Sequence, residues 1–173
     1  EKEARDGLGT AWAGDGEGAG AVVDVLLADV AEQGAMRTET LQGLHAALGH
    51  VLETALHLLD TGGMVRVREE GTERVAYAVL EESRALLILP PHYCSCSAFG
   101  HLLPQPTEGP PMCSHLLAVR IAAARAHGGG TGGGCGARPC RQLSLPPAAF
   151  VSLLTDGPTS CKAILAMKDT ALP

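Results

Sequence analysis

Aromatic residues are scarce in this sequence, and it has no excess of positive charge. Only 3% of its 173 residues are aromatic, and the formal net charge is -6. Proteins that hold single-stranded nucleic acid commonly stack the bases on aromatic side chains, so the composition argues against such a platform. The negative charge has the wrong sign for gripping a phosphate backbone by electrostatics alone. A nucleic-acid function would therefore need a partner that supplies positive charge.

Long apolar runs and familiar catalytic motifs are absent as well. No stretch of about 18 uncharged apolar residues occurs, which is close to the length that spans a bilayer, so we expect a soluble protein with no membrane partner. The phosphate-binding loop G-x-x-x-x-G-K-[ST] and the nucleophile motif G-x-S-x-G are not found. With no catalytic constellation visible, the sequence predicts a protein that is not an enzyme and has no small-molecule substrate.

The apolar residues that are present suffice for a core of leucine, valine and alanine. Hydrophobic residues make up 46% of the chain, which suits one globular domain with appendages. Residues 1–20 are rich in glycine and glutamate, lack apolar periodicity and predict a disordered tail. Apolar residues recur at helical spacing over residues 21–33, and again in one long stripe from Thr38 to Gly62. Residues 21–62 are thus predicted to be a helical N-terminal region, which we expect to include a partner surface.

After these helices the apolar residues change from helical spacing to the alternation typical of strands. The segments "MVRVRE" and "RVAYAVL" alternate valine or tyrosine with polar or small residues and predict a β-hairpin, and "ALLILP" predicts a third strand. A third helix is expected in "MCSHLLAVRIAAARAH", and a short C-terminal helix begins near Pro146 and Pro147. The predicted fold class is α+β, with N-terminal helices, a small three-stranded antiparallel sheet and a metal-binding finger that leads into a helix.

The second half of the chain divides at a run of glycines. Residues 63–127 contain the predicted hairpin, the finger and its helix. Residues 128–140 form a glycine-rich segment that predicts a flexible linker, and residues 141–173 are predicted to be a short helix and tail.

The cysteines carry the clearest chemical signal. There are six, an even number that would also suit the disulfide framework of a secreted protein. That class of protein is short and rich in loops, whereas this chain is rich in helical pattern, which favours a reducing compartment in which thiols bind metal or stay free. Within "HYCSCSAF" two cysteines lie one residue apart, a spacing compatible with a disulfide partner, a reactive thiol, half of a metal site or no function.

A second pair of metal-ligand residues decides among these alternatives. Sixteen residues separate Cys96 from "CSH", which contains Cys113 and His115. Residues two apart on an extended segment project to the same side, so Cys94 and Cys96 can share one ion, and Cys3His is an established structural zinc set. We favour a single structural zinc ion over four unrelated side chains, and over a disulfide.

These residues resemble a SWIM-type zinc finger. The pattern C-x-C, sixteen residues, C-x-H, followed by "LLA", and more narrowly the segments "HYCSCSAF" and "CSHLLAV", are similar to the SWIM subunit of the Shu complex, the zinc finger SWIM domain-containing protein 7 family. The resemblance covers roughly residues 21–155. The glycine insertion "GGGTGGG" and the acidic N-terminus depart from the family pattern.

The resemblance implies a function as well as a fold. It implies a nuclear, non-enzymatic adaptor of homologous recombination that pairs with a RecA-like recombinase paralogue, the SWIM-associated ATPase subunit. Through that complex it would act on single-stranded DNA and promote assembly or stability of the recombinase filament. The family's zinc ligands correspond to Cys94, Cys96, Cys113 and His115, and its alanine corresponds to Ala118.

Two other functions stay open at this point. One is a SWIM module that binds DNA directly, as in transposase-derived proteins, and the other is a substrate receptor in ubiquitin transfer. Arg120 and Arg125 on the predicted third helix are candidate DNA contacts, although an ordinary charged surface is the simpler interpretation of such arginines.

Overall fold

The computed structural model describes residues 19–81, 85–102, 112–127 and 140–156, and these form an α+β fold. The described residues contain six helices: α1 (Ala19–Gln33), α2 (Thr38–Leu48), α3 (His50–Thr61), α4 (Ser97–Leu102), α5 (Ser114–His127) and α6 (Pro147–Thr155). They also contain five strands: β1 (Met64–Glu69), β2 (Val75–Leu80), β3 (Ala85–Leu89), β4 (Tyr93–Cys94) and β5 (Arg141–Leu145). The predicted α+β class and the first three strands are confirmed.

The sheet differs from the predicted three-stranded antiparallel one. It is a mixed sheet of five strands in the order β4-β3-β2-β1-β5, in which β5 runs parallel to β1 and the other neighbours are antiparallel. Strand β4 has only two residues, too few for an alternating pattern to show. Strand β5 lies beyond the glycine run and pairs with a strand far away in sequence, so no local sequence pattern predicted it.

The long helix predicted between Thr38 and Gly62 is in fact two helices. They meet at Gly49, whose backbone has φ 52° and ψ -129°, a conformation that residues with a Cβ rarely adopt. The Gly49 amide still donates a hydrogen bond to the His45 carbonyl and so ends α2. The apolar stripe continues across the break because Leu44 and Leu52 are both buried.

Helices cover both faces of the sheet. On one face α1, α2, α3 and α5 enclose a core that includes Val79, Leu86 and Ile88 of the sheet. On the other face α6 places Phe150 and Leu153 against alternate residues of the strands. Helix α5 lies at the centre of the larger core, since six consecutive residues, 116–121, are all buried.

Several predicted regions lie partly or wholly outside the described residues. Of the predicted tail, Ala19 and Gly20 are the first residues of α1, and the rest is not described. The glycine run is outside the described residues up to Cys140. Residues 141–145, which we expected to precede a separate helix, are β5 and belong to the main sheet. Across the described ranges, we find no helix with the length and apolar character needed to span a membrane.

The break at Gly49 predicts a specific loss of stability. Replacing Gly49 with alanine should lower the free energy of unfolding by about 1–3 kcal/mol, because the open space around it does not relieve the strained backbone angles. Gly100 is the matched control: it lies in α4, is equally uncrowded and has no positive φ, so Gly100→Ala should be neutral or stabilise by about 0.5–1 kcal/mol. Urea denaturation of both variants measures the difference, and equal effects would contradict the strain argument.

Candidate metal centre

The short strand β4 positions the first two predicted ligands. Cys94 ends β4 and pairs with Ile88 of β3, so its side chain points to the buried side of the sheet. The next residue, Ser95, is tied to β3 twice, because its amide donates to the Leu87 carbonyl and its hydroxyl accepts from the Leu87 amide, both at 2.9 Å. Cys96 follows at the start of α4. These two hydrogen bonds to β3 hold both thiols beside the core.

The start of α5 supplies the other two ligands. Cys113 immediately precedes the helix and His115 is its second residue. One ligand atom from each of Cys94, Cys96, Cys113 and His115 lies within 4.8 Å of the corresponding atoms of the others. The three cysteines are buried and His115 is nearly so. The structure therefore brings together all four residues that the sequence singled out, as a group that can hold a metal ion.

Backbone amides point at two of the sulfur atoms. The Phe99 amide donates to Cys96 Sγ at 3.3 Å, and the Leu116 amide donates to Cys113 Sγ at 3.5 Å. Each amide lies three residues after its cysteine, in the first turn of α4 or α5, where no backbone carbonyl is available to it. Such amides stabilise negative charge, so both helix starts favour thiolate over thiol.

His115 has one nitrogen engaged and one left over. Its Nε2 atom lies 3.6 Å from Glu81 Oε1, while its Nδ1 atom is buried and has no hydrogen-bond partner within the described part of the chain. A buried polar atom without a partner costs free energy, and coordination of an ion removes that cost. Glu81 occupies the position of the carboxylate that commonly orients a metal-binding histidine through its other nitrogen.

The three thiols share protons unequally in the metal-free protein. The hydrogen bond between Cys94 and Cys113 raises the pKa of Cys94 and lowers that of Cys113 to about 4. Burial raises the pKa of Cys96. These opposite directions favour a thiolate on Cys113 and protonated thiols on Cys94 and Cys96, whose protons a bound cation would displace.

The donor set of three cysteines and one histidine fits a metal ion, and the disulfide alternative can be tested against the structure. The four residues come from two chain segments; the three cysteines belong to the larger core, and His115 is partly exposed. The cysteines of the described ranges are free thiols and not disulfide-bonded, which argues against the disulfide alternative for this cluster.

The other predicted site residues have different surroundings. Ala118 is fully buried in α5, one turn after His115. Arg120 is only 5% exposed and forms an ion pair with Asp24 of α1, so its placement does not support the expected DNA contact: reaching a phosphate would break this buried pair. Arg125 is partly exposed near the end of α5 and stays a candidate.

The remaining thiols do not extend the cluster. Cys140 donates a hydrogen bond to the Met64 carbonyl at 3.4 Å, and burial raises its pKa to about 11. It therefore behaves as a protonated thiol beside the sheet. Cys135 and Cys161 lie outside the described residues. Sequence reasoning missed Glu81 and Asp24, because an acidic residue at the end of a strand or on a helix carries no motif.

Comparison with known proteins adds no further constraint on the site. A scan of the sequence against models of protein families found no match, and neither did a search of curated proteins. The resemblance to SWIM proteins therefore rests on the ligand motifs and their surroundings.

Removing a ligand should release the metal and unfold the protein. We expect the purified chain to carry one metal ion, and Cys113→Ser or His115→Ala to lose both the ion and cooperative unfolding, because the remaining donors would be buried without a cation. Cys140→Ser is the matched control and should keep both, since Cys140 is not in the cluster. Elemental mass spectrometry with thermal denaturation measures the outcome, and a well-folded, metal-free wild-type chain would contradict the assignment.

Metal affinity should rise steeply with pH. Between pH 7 and 8 the Cys113 thiol is already ionised and those of Cys94 and Cys96 are not, so binding displaces two thiol protons and the apparent affinity should increase about 100-fold per pH unit. Titration with Co²⁺, followed by its thiolate absorption band across this range, measures the slope. A pH-independent affinity would contradict the displacement of two thiol protons.

Proposed function

We propose that the four-residue cluster is the structural zinc site of a SWIM-type finger. Three sulfur atoms and one imidazole nitrogen are the donors that zinc favours in closed structural sites, and hard cations such as Mg²⁺ prefer oxygen. The Nδ1 atom of His115 and the sulfur atoms of the three cysteines are the coordinating atoms. With four protein ligands no position is left for an activated water, so the role of the ion is structural rather than catalytic.

The bound zinc would link β4 to the start of α5. Cys94 ends the edge strand β4 and Cys96 precedes α4, whereas Cys113 precedes the central helix α5 and His115 lies in its first turn. Residues 103–111, which are outside the described ranges, lie between the two halves. A shared ion makes the position of α5 independent of the length of that connection. The position of α5 in turn fixes that of α1, through the ion pair between Arg120 and Asp24.

We further propose that the protein is a non-enzymatic adaptor in homologous recombination, the SWIM partner of a RecA-like recombinase paralogue. The observation that carries this proposal is the C-x-C and C-x-H cluster at a strand-to-helix junction, combined with the small buried Ala118 that the family pattern requires. In this role the chain would act in the nucleus, pair with the ATPase paralogue and support a recombinase filament on single-stranded DNA.

Helix α1 offers the surface for that pairing. Val22 and Val25 are 50% and 70% exposed, an unusual position for large apolar side chains one turn apart. Between them Asp24 forms the ion pair with Arg120 of α5, so the exposed valines are held in register with the zinc-bound helix. Glu32 and Ala28 continue the exposed face, and its acidic end suits a partner segment with basic residues at one end.

A charge placed on this face should abolish pairing. Val25→Glu should prevent co-purification with the co-expressed RecA-like paralogue, because the carboxylate would have to be desolvated within an apolar contact. His57→Glu is the matched control, since it adds the same charge to an exposed position on α3 and should leave pairing intact. Both variants should retain zinc. Unchanged pairing in Val25→Glu would sink the assignment of this surface.

A further inference from the structure

The half of the sheet face next to β5 carries side chains that donate hydrogen bonds. Arg66 and Arg68 lie two residues apart on β1, so both project to the same side. In the parallel register Gln142 lies beside Arg66 and Ser144 beside Arg68, and on the antiparallel side Tyr77 lies opposite Arg66. We call these five residues the donor face. None of the five is a carboxylate.

The described helices leave the donor face open. The same side of the sheet is covered by the helical core at Met64, Val79 and Leu86, but Arg68, Gln142 and Ser144 are exposed. Arg66 and Tyr77 are half-buried at the border with that core. The result is a flat strip two rows wide, bounded on one side by helices and on the other by the edge of β5.

The groups on this strip match a sugar-phosphate chain. Guanidinium, amide and hydroxyl side chains are the usual partners of phosphate and sugar oxygens. The two arginines repeat about 7 Å apart along the strand, which lets each contact one of two neighbouring phosphates. A strip this narrow can follow one sugar-phosphate chain at a time, and in the proposed function that chain is single-stranded DNA.

An acidic side chain, that of Glu73, pairs with the donor face. Arg68 donates to Glu73 at 2.7 Å and to the Thr72 carbonyl at 3.2 Å. Glu73 is in the turn and its side chain is 93% exposed, while that of Arg68 is 49% exposed. An ion pair so open to solvent contributes little free energy, so a phosphate can take the place of Glu73.

From this arrangement we infer that the donor face binds the backbone of single-stranded nucleic acid. The inference rests on the proposed function in that the assembly works on single-stranded DNA, and it adds that this chain touches the strand directly. With one aromatic residue at its border, the donor face contacts phosphates rather than stacked bases, so binding is independent of sequence. Two arginines give a weak contact by themselves, and pairing with a second DNA-binding subunit strengthens it through effective concentration.

The salt dependence of binding tests this directly. The zinc-loaded full chain, alone and with its paralogue, is titrated with fluorescein-labelled oligothymidylate over a series of salt concentrations. The double variant Arg66→Gln with Arg68→Gln should make the negative slope of log affinity against log salt shallower by about 1.4, because each phosphate contact on a single strand contributes about 0.7 to its magnitude. Arg66→Lys with Arg68→Lys should keep the slope, since the charges remain.

Two further variants separate this role from general effects. Arg37→Gln removes the same kind of charge from an exposed pair with Asp29 on the helices, and should leave the slope unchanged. Ser144→Glu leaves both arginines in place, adds a carboxylate beside Arg68 on an exposed strand, and should weaken binding at least tenfold. An unchanged slope in the double variant, or equal displacement of the oligonucleotide by polyglutamate, would overturn the inference.

Failure of this inference and failure of the proposed function look different. A chain that pairs with the paralogue but shows no arginine-dependent slope refutes the donor face and leaves the adaptor role standing. A chain that binds oligothymidylate through Arg66 and Arg68 but pairs with no paralogue refutes the adaptor role and supports direct DNA binding.

Discussion

The position of helix α5 is the constraint on which the rest of this fold depends. Its first turn carries two members of the Cys/His cluster, and its middle is buried on every side. Because Arg120 places a guanidinium in that buried middle, Asp24 of α1 is needed to neutralise it. The cluster at one end and the ion pair in the middle of the helix therefore locate α5 relative to both the sheet and the first helix.

The two faces of the sheet are used in different ways. One face is divided between the helical core and the donor face, so structure and recognition lie on the same surface. Among the described residues the other face is covered by the short helix α6, with Phe150 in contact with the guanidinium of Arg74. Helix α5 with its Cys/His cluster and helix α1 with its exposed valines both pack on the same face of the sheet that carries the donor face.

The sequence predicted what is local and missed what depends on distant partners. The ligand set could be identified because Cys-x-Cys and Cys-x-His are short patterns with a direct chemical meaning. Strands β1 and β2 alternate, and β3 is a short apolar run that ends at a proline. The continuous apolar stripe from Thr38 hid the break at Gly49, since the core needs the same leucines whether the helix is bent or straight. The burial of Arg120 and the pairing of β5 with β1 depend on residues that are remote in the chain, so neither leaves a trace in a local pattern.

The parallel pairing of β5 has a consequence for how the protein is made. Cys140 contacts the Met64 carbonyl across 76 residues of sequence, whereas the metal ligands all lie within one compact stretch. During synthesis the finger can form while β1 still exposes an unpaired edge, because the strand that covers it emerges last. An open edge of this kind invites pairing with other chains. Once β5 has paired, β1 is an interior strand of the sheet and no longer offers that edge.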